Sequence, residues 1–462
     1  MKTFKLFFIK TIFFGFIFCN CNLFAQTWPP SGMQGNGTED TPWQITTPAH
    51  LETLTNFVNA GNGNQTKDVY YMLMNDINLS GYAQGEGWTP IGYWFYPDDF
   101  SKCFQGYFNG NGYIVQNLTI NRPAENRIGL FGYTSNGEIK NLGIENCNLV
   151  GQAFVGGLVG GNGGNIYNGS NINNCYATGN IKGYDNTGGL VGSQRGSFIN
   201  NCYAKCNVSG FGENIGGLVG TSDEAVISYC YATGSVKANN FAGGLVGYYN
   251  TKEIHNCFAV NDSVVIFNSG TNIWRVGRAN TLRNNYARND MVMQNAEGDV
   301  AVTNGLTTKD GMGKDKSVFY TVDFFATASN WYNEAWDITS TPESNPEAVW
   351  FINDGEDFPL LMWQYSGGTG IKEHNTTLEI AVYPNPTRGE LRIKLTSEQV
   401  NKGINPLVVE VFDIYGRKQK AEGRKQKAEN EMVLDISGLS AGVYFVRIST
   451  EKGVVNKKVV KY

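Results

Sequence analysis

The sequence predicts an all-β protein: a right-handed parallel β-helix, a solenoid of roughly 27-residue coils, followed by a small β-sandwich. Three observations carry this expectation. Glycine contributes 57 of the 462 residues and proline only 13, a turn-rich composition without the proline of a disordered linker. A glycine-bearing segment recurs at near-constant spacing through the middle of the chain, which is the signature of stacked repeats. Past residue 370 the repeat stops and the charge changes sign: residues 26–375 hold 18 Lys and Arg against 31 Asp and Glu, while 376–462 hold 15 against 10. Aromatic residues at 13% argue for a folded core, and charged residues at 17% leave little room for a coiled coil or a charged tail. The net charge of −5 speaks against a broad nucleic-acid surface.

Taken in order, residues 1–25 read as a signal peptide. Lys2, Lys5 and Lys10 precede a short apolar run at 11–18, and Ala25 is followed by polar sequence. That run is too short to span a bilayer, and no later stretch has 18 consecutive apolar residues, so the chain is not expected to be membrane-spanning. A lipid anchor at Cys19 or Cys21 is disfavoured, because Phe18 and Asn20 stand where a small residue is needed.

Cleavage would leave Cys103, Cys147, Cys175, Cys202, Cys206, Cys230 and Cys257, an odd set with no C-x2-C pair. The histidines, His50, His255 and His374, are isolated, so no metal site is expected. The cysteine spacing comes from the repeat instead. Gly-Leu-Val/Phe-Gly recurs at 129–132, 157–160, 189–192, 217–220 and 244–247. Ten residues beyond its last glycine, or 15 in the second copy, stands a column residue: Leu142, Cys175, Cys202, Cys230 and Cys257, with Leu118 before and Asn285 after. From that column onward alternate positions are small or apolar, as in Cys202, Ala204, Cys206 and Val208, which is strand periodicity. Stacking coils about 4.8 Å apart turns the column into an internal ladder, with cysteine as a small buried hydrophobe. Oxidation of stacked pairs stays open. The glycines are expected at corners.

Gly-Gly-Leu-Val-Gly followed by Asn-Cys-Tyr-Ala-Thr-Gly resembles the GLUG motif of bacterial surface and secreted proteins, over about 104–286. Trp336-Asp337-Ile338 and the run 358–364 resemble the closing segment of such proteins. The last module, with Val382-Tyr383-Pro384-Asn385-Pro386, Val411-Phe412-Asp413-Ile414-Tyr415-Gly416 and a basic end, has four short β-type runs broken by turns. It resembles the type IX secretion sorting domain of Bacteroidota. The motif residues are Pro384, Asn385, Pro386, Gly389, Gly416, Gly442, Tyr444, Lys457 and Lys458. The heptad GRKQKAE at 416–422 repeats at 423–429, as if a hairpin loop had been lengthened by tandem duplication. The chain is thus partitioned as follows: signal peptide 1–25, N-terminal cap and first coils 26–128, GLUG-like repeats 129–290, closing coils and C-terminal cap 291–366, linker 367–375, and sorting domain 376–462. The resemblance implies export across both membranes, with the type IX machinery as partner through 376–462, and release or attachment at the outer cell surface.

No catalytic constellation emerges. Glu138 and Glu253 share a phase but lie four coils apart, and His50 is followed by Leu51-Glu52 without the second histidine of a metallopeptidase helix. The expectation is a non-enzymatic adhesin or glycan- and surface-binding protein, without cofactors and without nucleic-acid binding. The alternative is a carbohydrate-active enzyme, a polysaccharide lyase or glycoside hydrolase, on the same scaffold near 76–105, where Asp98 and Asp99 neighbour Tyr93, Trp94, Phe95 and Tyr96. The candidate ligand-stacking residues are Tyr176, Tyr203, Tyr231, Phe258 and Tyr286, one residue out of phase with the ladder and so facing outward. If covered, that stripe is structural.

Overall fold

The computed structural model describes residues 28–30, 32–94, 99–163, 169–248, 250–365, 380–384, 387–395, 406–413, 418–419, 422–426, 431–450 and 453–462. The expected signal peptide and the linker lie outside the described residues. Successive coils stack their strands in parallel, as the recurring apolar columns require. One coil runs through Phe198–Asn200, Tyr203–Gly210, Glu213–Gly216 and Val219–Asp223. Each strand pairs with its counterparts one coil away, giving a nine-stranded sheet, a fourteen-stranded sheet and two five-stranded sheets. Register is strict where the sequence repeats: Ile139, Ile172, Ile199, Ile227, Ile254 and Leu282 align, and so do Tyr176, Tyr203, Tyr231, Phe258 and Tyr286. This is the parallel β-helix that the periodicity predicts. At its N-terminal end the helix Pro48–Phe57, begun by Thr47, sends Leu51 and Leu54 into the same core.

The repeat residues divide the work of the corner. The residue before each column position is left-handed: Asn117, Asn141, Asn174, Asn201, Tyr229, Asn256 and Asn284 all have φ between 47 and 61°. Asparagine tolerates that conformation better than other side chains do. The glycines of the Gly-Gly-Leu-Val-Gly segment serve close approach instead. A Cβ on Gly216 would lie 1.9 Å from the Val219 carbonyl oxygen, and one on Gly217 would lie 2.0 Å from that of Gly244 in the next coil. The expectation that glycine supplies the corners therefore holds for space more than for backbone angle.

The cysteine ladder is buried, and all seven described thiols are free. Each column thiol donates to the carbonyl two residues earlier, Cys175 to Asn173 at 3.1 Å and Cys230 to Ser228 at 3.0 Å. The Cys202 and Cys230 sulfurs accept backbone N–H groups from the coil before, at 3.4 Å. Thus the sulfurs are engaged with backbone. Asn285 ends the ladder, accepting from Cys257 N at 3.1 Å and donating to Ile254 O in the coil before at 2.7 Å. Burial pushes the Cys175 and Cys230 thiols up, and Cys103 up to about 12, which suppresses the reactive thiolate. Native exported protein is accordingly expected to leave these thiols unreacted with a disulfide reagent. All seven should titrate after denaturation without reductant, whereas a deficit of two or four would reveal paired ladder cysteines.

Residues 316–365 do not continue the stack. Short helices and a three-stranded sheet of Ile338–Thr339, Trp350–Phe351 and Leu360–Leu361 form a strap that runs back along the solenoid, from its last coils towards its first. Each left-handed residue that precedes the ladder column, from Asn284 back to Asn174, is bonded by it. Asn284 Nδ2 donates to Asn330 O, Asn256 Nδ2 to Tyr332 O and Tyr229 Oη to Glu334 O. In return Trp350 Nε1 donates to Asn201 Oδ1 at 3.2 Å and Trp363 Nε1 to Asn174 O at 3.2 Å. This segment, expected as closing coils and an end cap, is a lateral cover over five coils.

The C-terminal module is two antiparallel four-stranded sheets. Leu391, Ile393 and Leu434 from one face Val411, Val446, Ile448 and Val459 from the other in a separate core. That arrangement is the expected sandwich. The duplicated heptad does more than lengthen a loop: 418–419 pairs with 406–413, and Glu422–Gln426 forms the edge strand beside Glu431–Asp435 in the other sheet.

Candidate functional site

The stripe expected as a stacking platform is inaccessible. Tyr176, Tyr203, Tyr231, Phe258 and Tyr286 point away from the coil interior, as their phase requires, yet none is more than 3% exposed. The first three and Phe258 stack face to face with centroids 4.7–4.8 Å apart. The strap then seals them: Trp363 lies on Tyr176, Trp350 on Tyr203 and Tyr231, Trp336 on Phe258, and Trp331 on Tyr286. Their hydroxyls are satisfied inside, Tyr231 by Pro359 O and Tyr286 by Asn330 O, both at 2.6 Å. The assignment of these five residues to ligand stacking is therefore corrected. Their neighbours in space are the protein's own aromatic rings.

A different column faces solvent. One position beyond the paired Gly183 and Gly210, Tyr184 and Phe211 lie on adjacent coils. One position beyond the paired Ala238 and Ile266 come Asn239 and Phe267. Tyr184, Phe211 and Phe267 are 47, 60 and 50% exposed. Beside them runs a shallow groove of about 420 Å³ across the outer face of the fourteen-stranded sheet, lined by Asn148, Asn180, Asn207, Lys182, Ser209 and Lys237 among others. Strand alternation produces this: Leu149, Ile181 and Val208 go inward, and the residues on either side of each go out. Asn207 Nδ2 donates to Asn180 Oδ1 at 3.2 Å, and Lys182 Nζ sits 5.2 Å from the Phe211 ring centroid. Exposed rings, amides and ammonium groups at coil spacing can stack on and hydrogen-bond to a chain of polyhydroxylated rings. The signal for this column was in the sequence, since Tyr184 and Phe211 each follow a ladder cysteine by nine residues. Asn239 breaks the series and Phe267 is shifted to ten.

The cluster near residue 98 is in part a packed loop. Trp94 stacks on Tyr133 at 5.7 Å, and Asp99 accepts from Ser101 N at 2.9 Å. Phe95, Tyr96 and Asp98 lie outside the described residues. Glu138 and Glu253 occupy one row, separated by Asn171, Phe198 and Val226. Among the described residues, no three His, Cys, Asp or Glu side chains are placed to hold a metal ion, and no helix is long and apolar enough to cross a membrane.

In the sandwich, Gly389 has φ 146° and no room for a Cβ beside Ser437, while Gly442 opens the strand 442–450. Tyr444 is buried, its hydroxyl donating to Ser440 O at 2.8 Å. Lys457 and Lys458 fall in the last strand, and Pro384 follows the first. Asn385, Pro386 and Gly416 lie outside the described residues.

The fold and the motif residues define a class, a parallel β-solenoid followed by a C-terminal sandwich with its own core. Comparison with known families makes it particular. Residues 155–182 and 211–237 match the GLUG motif, and 381–462 match the secretion system C-terminal sorting domain. The chain is a GLUG-motif solenoid protein with a type IX sorting domain, the tail that marks it for secretion. Two curated relatives share parts of it. "Halomucin" of Haloquadratum walsbyi is 35% identical over 160 residues, 34% of this chain and 2% of that protein. "Putative Gly-rich membrane protein" of Evansella cellulosilytica is 37% identical over 140 residues, 29% of this chain and 15% of that one. The chain therefore spans only a small part of the curated relatives it matches. A solved structure described as a "putative immunoglobulin A1 protease" from Bacteroides ovatus superposes with a TM-score of 0.55 at 22% identity, covering 71% of this chain and 94% of that one. At that identity the likeness is one of fold.

Proposed function

We propose that the exported protein is a non-enzymatic binding protein that engages a glycan at the cell surface or in the medium. Its binding face is the groove bordered by Tyr184, Phe211 and Phe267. The observation that supports this reading most is the exposure of those three rings in one column beside Asn180, Asn207, Lys182 and Lys237. Exposed aromatic rings in a row are costly to leave in water unless something covers them. Residues 26–375 are acidic overall, so the two lysines make this face a local exception. In this reading the leader is removed at the inner membrane and the sorting domain after the outer one, leaving the solenoid with its strap.

The test is a glycan array probed with the exported protein. Binding is expected, and Phe211→Ala is expected to weaken it by roughly tenfold or more, the scale of losing a central aromatic contact. Because Phe211 is exposed, its removal should leave stability within about 0.5 kcal/mol. Uniform absence of array signal, or undiminished binding by Phe211→Ala, would overturn the assignment of this face.

A further inference from the structure

Arg127 stands in a second hollow, built from other residues than the groove above. Its backbone occupies the left-handed corner, φ 66°, that Phe154, Asn186, Asn214 and Phe241 occupy in later coils. This is an unusual place for a long charged side chain. The guanidinium carbon lies 4.9 Å from the Trp94 ring, 5.1 Å from Phe154 and 5.7 Å from Tyr133. Glycine makes the packing fit, since a Cβ on Gly161 would lie 2.7 Å from the Tyr133 ring and 3.7 Å from Arg127 Cγ.

Among the described residues of the solenoid and strap, every other arginine has an acceptor. Arg122 holds Glu86 and Glu125, Arg195 holds Asp223, Arg275 holds Asn304, Arg278 holds Tyr248, Arg283 holds Glu253, and Arg288 holds Asp262 and Asp290. Arg127 has three aromatic rings and, among the described residues, no carboxylate or carbonyl. Its guanidinium is half-buried, and burial lowers its pKa, against a smaller opposing effect of Tyr133 and Cys103. Rings that occupy the faces of a guanidinium leave its in-plane N–H groups as donors, the geometry that takes a carboxylate in a bidentate pair. The hollow beside it, about 380 Å³, is lined by Thr89, Tyr93, Trp94, Asn126 and Asn59, and by Glu125, which is paired to Arg122 at 3.1 Å. Its volume falls in the range of small-ligand sites.

We propose that Arg127 and its aromatic cage form a binding site for the carboxylate of an acidic sugar, a uronic acid unit of a polysaccharide. The guanidinium edge takes the carboxylate and the sugar ring occupies the hollow lined by Thr89, Tyr93 and Asn126, where Thr89 Oγ1 already accepts from Arg122 and Tyr93 Oη from Lys102. The hollow shares no lining residue with the Phe211 groove, so either can fail alone.

Calorimetric titration of the full exported protein with a galacturonic acid oligomer, its carboxyl-reduced neutral counterpart and inorganic sulfate tests it. The acidic oligomer is expected to bind at least about tenfold more tightly than the neutral one, a comparison that needs no variant. Arg127→Lys, which keeps the charge but loses the planar fork, is expected to lose about tenfold or more. Phe211→Ala is expected to bind the acidic oligomer as wild type does. Equal affinity for the neutral oligomer, undiminished binding by Arg127→Lys, or no binding of the acidic oligomer would overturn the proposal. Sulfate binding as tight as the oligomer would assign the hollow to small inorganic anions and overturn the sugar assignment.

Discussion

Replacing Trp350 with alanine is expected to cost about 3–5 kcal/mol of stability, the range for truncating a large buried aromatic. The side chain is 0% exposed, contacts Tyr203, Tyr231 and Trp336, and donates to Asn201 Oδ1. Truncation would leave a cavity between strap and solenoid, and it would strip the corner asparagine of its donor in a place water reaches poorly. The loss should be concentrated in the strap. Each coil is held by its neighbours, so the solenoid retains its ladders when its cover loosens. Urea denaturation followed by near-ultraviolet circular dichroism reads this. A loss under about 1 kcal/mol would mean that the strap rests on the aromatic row without stabilising it.

Deleting residues 376–462 is expected to reduce the protein in medium and surface fractions to background, with accumulation between the membranes. Type IX export follows from the sorting domain at 381–462, and that module has its own core, Leu391 and Ile393 against Val446 and Ile448. The acidic solenoid carries no second copy of its motifs. Immunoblots of fractionated cells from a type IX-competent host check this. Undiminished surface protein after the deletion would show that export is directed from elsewhere in the chain.

Much of the architecture could be read from residues alone, because a solenoid writes its packing into the sequence. Isoleucine, cysteine and tyrosine columns recur in register, and the corner asparagines recur with them. Even the outward phase of Tyr176, Tyr203 and Tyr231 was legible. What covers them was not. The strap crosses five coils against the direction of stacking, so Trp331, Trp336, Trp350 and Trp363 follow the spacing of the coils beneath them and not a period of their own. A sequence without repeats gives no sign of which face it lies on. The exposed column of Tyr184, Phe211 and Phe267 was obscured for the opposite reason, one interruption at Asn239 and one shift of register before Phe267. Arg127 was hidden because a corner position held elsewhere by asparagine or phenylalanine gives no hint that an arginine there would be caged. Sequence period thus locates core residues well, while surface chemistry depends on which neighbours the fold brings across.

Hydroxyl-radical footprinting of the exported protein, with and without the glycan found by array, tests most directly which aromatic row is the binding face. The expected result is strong oxidation of Tyr184, Phe211 and Phe267 that falls when glycan is bound, with Tyr203, Tyr231, Phe258 and Trp350 unmodified in both states. Oxidation of Tyr203 and Tyr231 in the free protein, with their protection by glycan while Phe211 stays unchanged, would contradict both the strap as a permanent cover and the groove as the binding site.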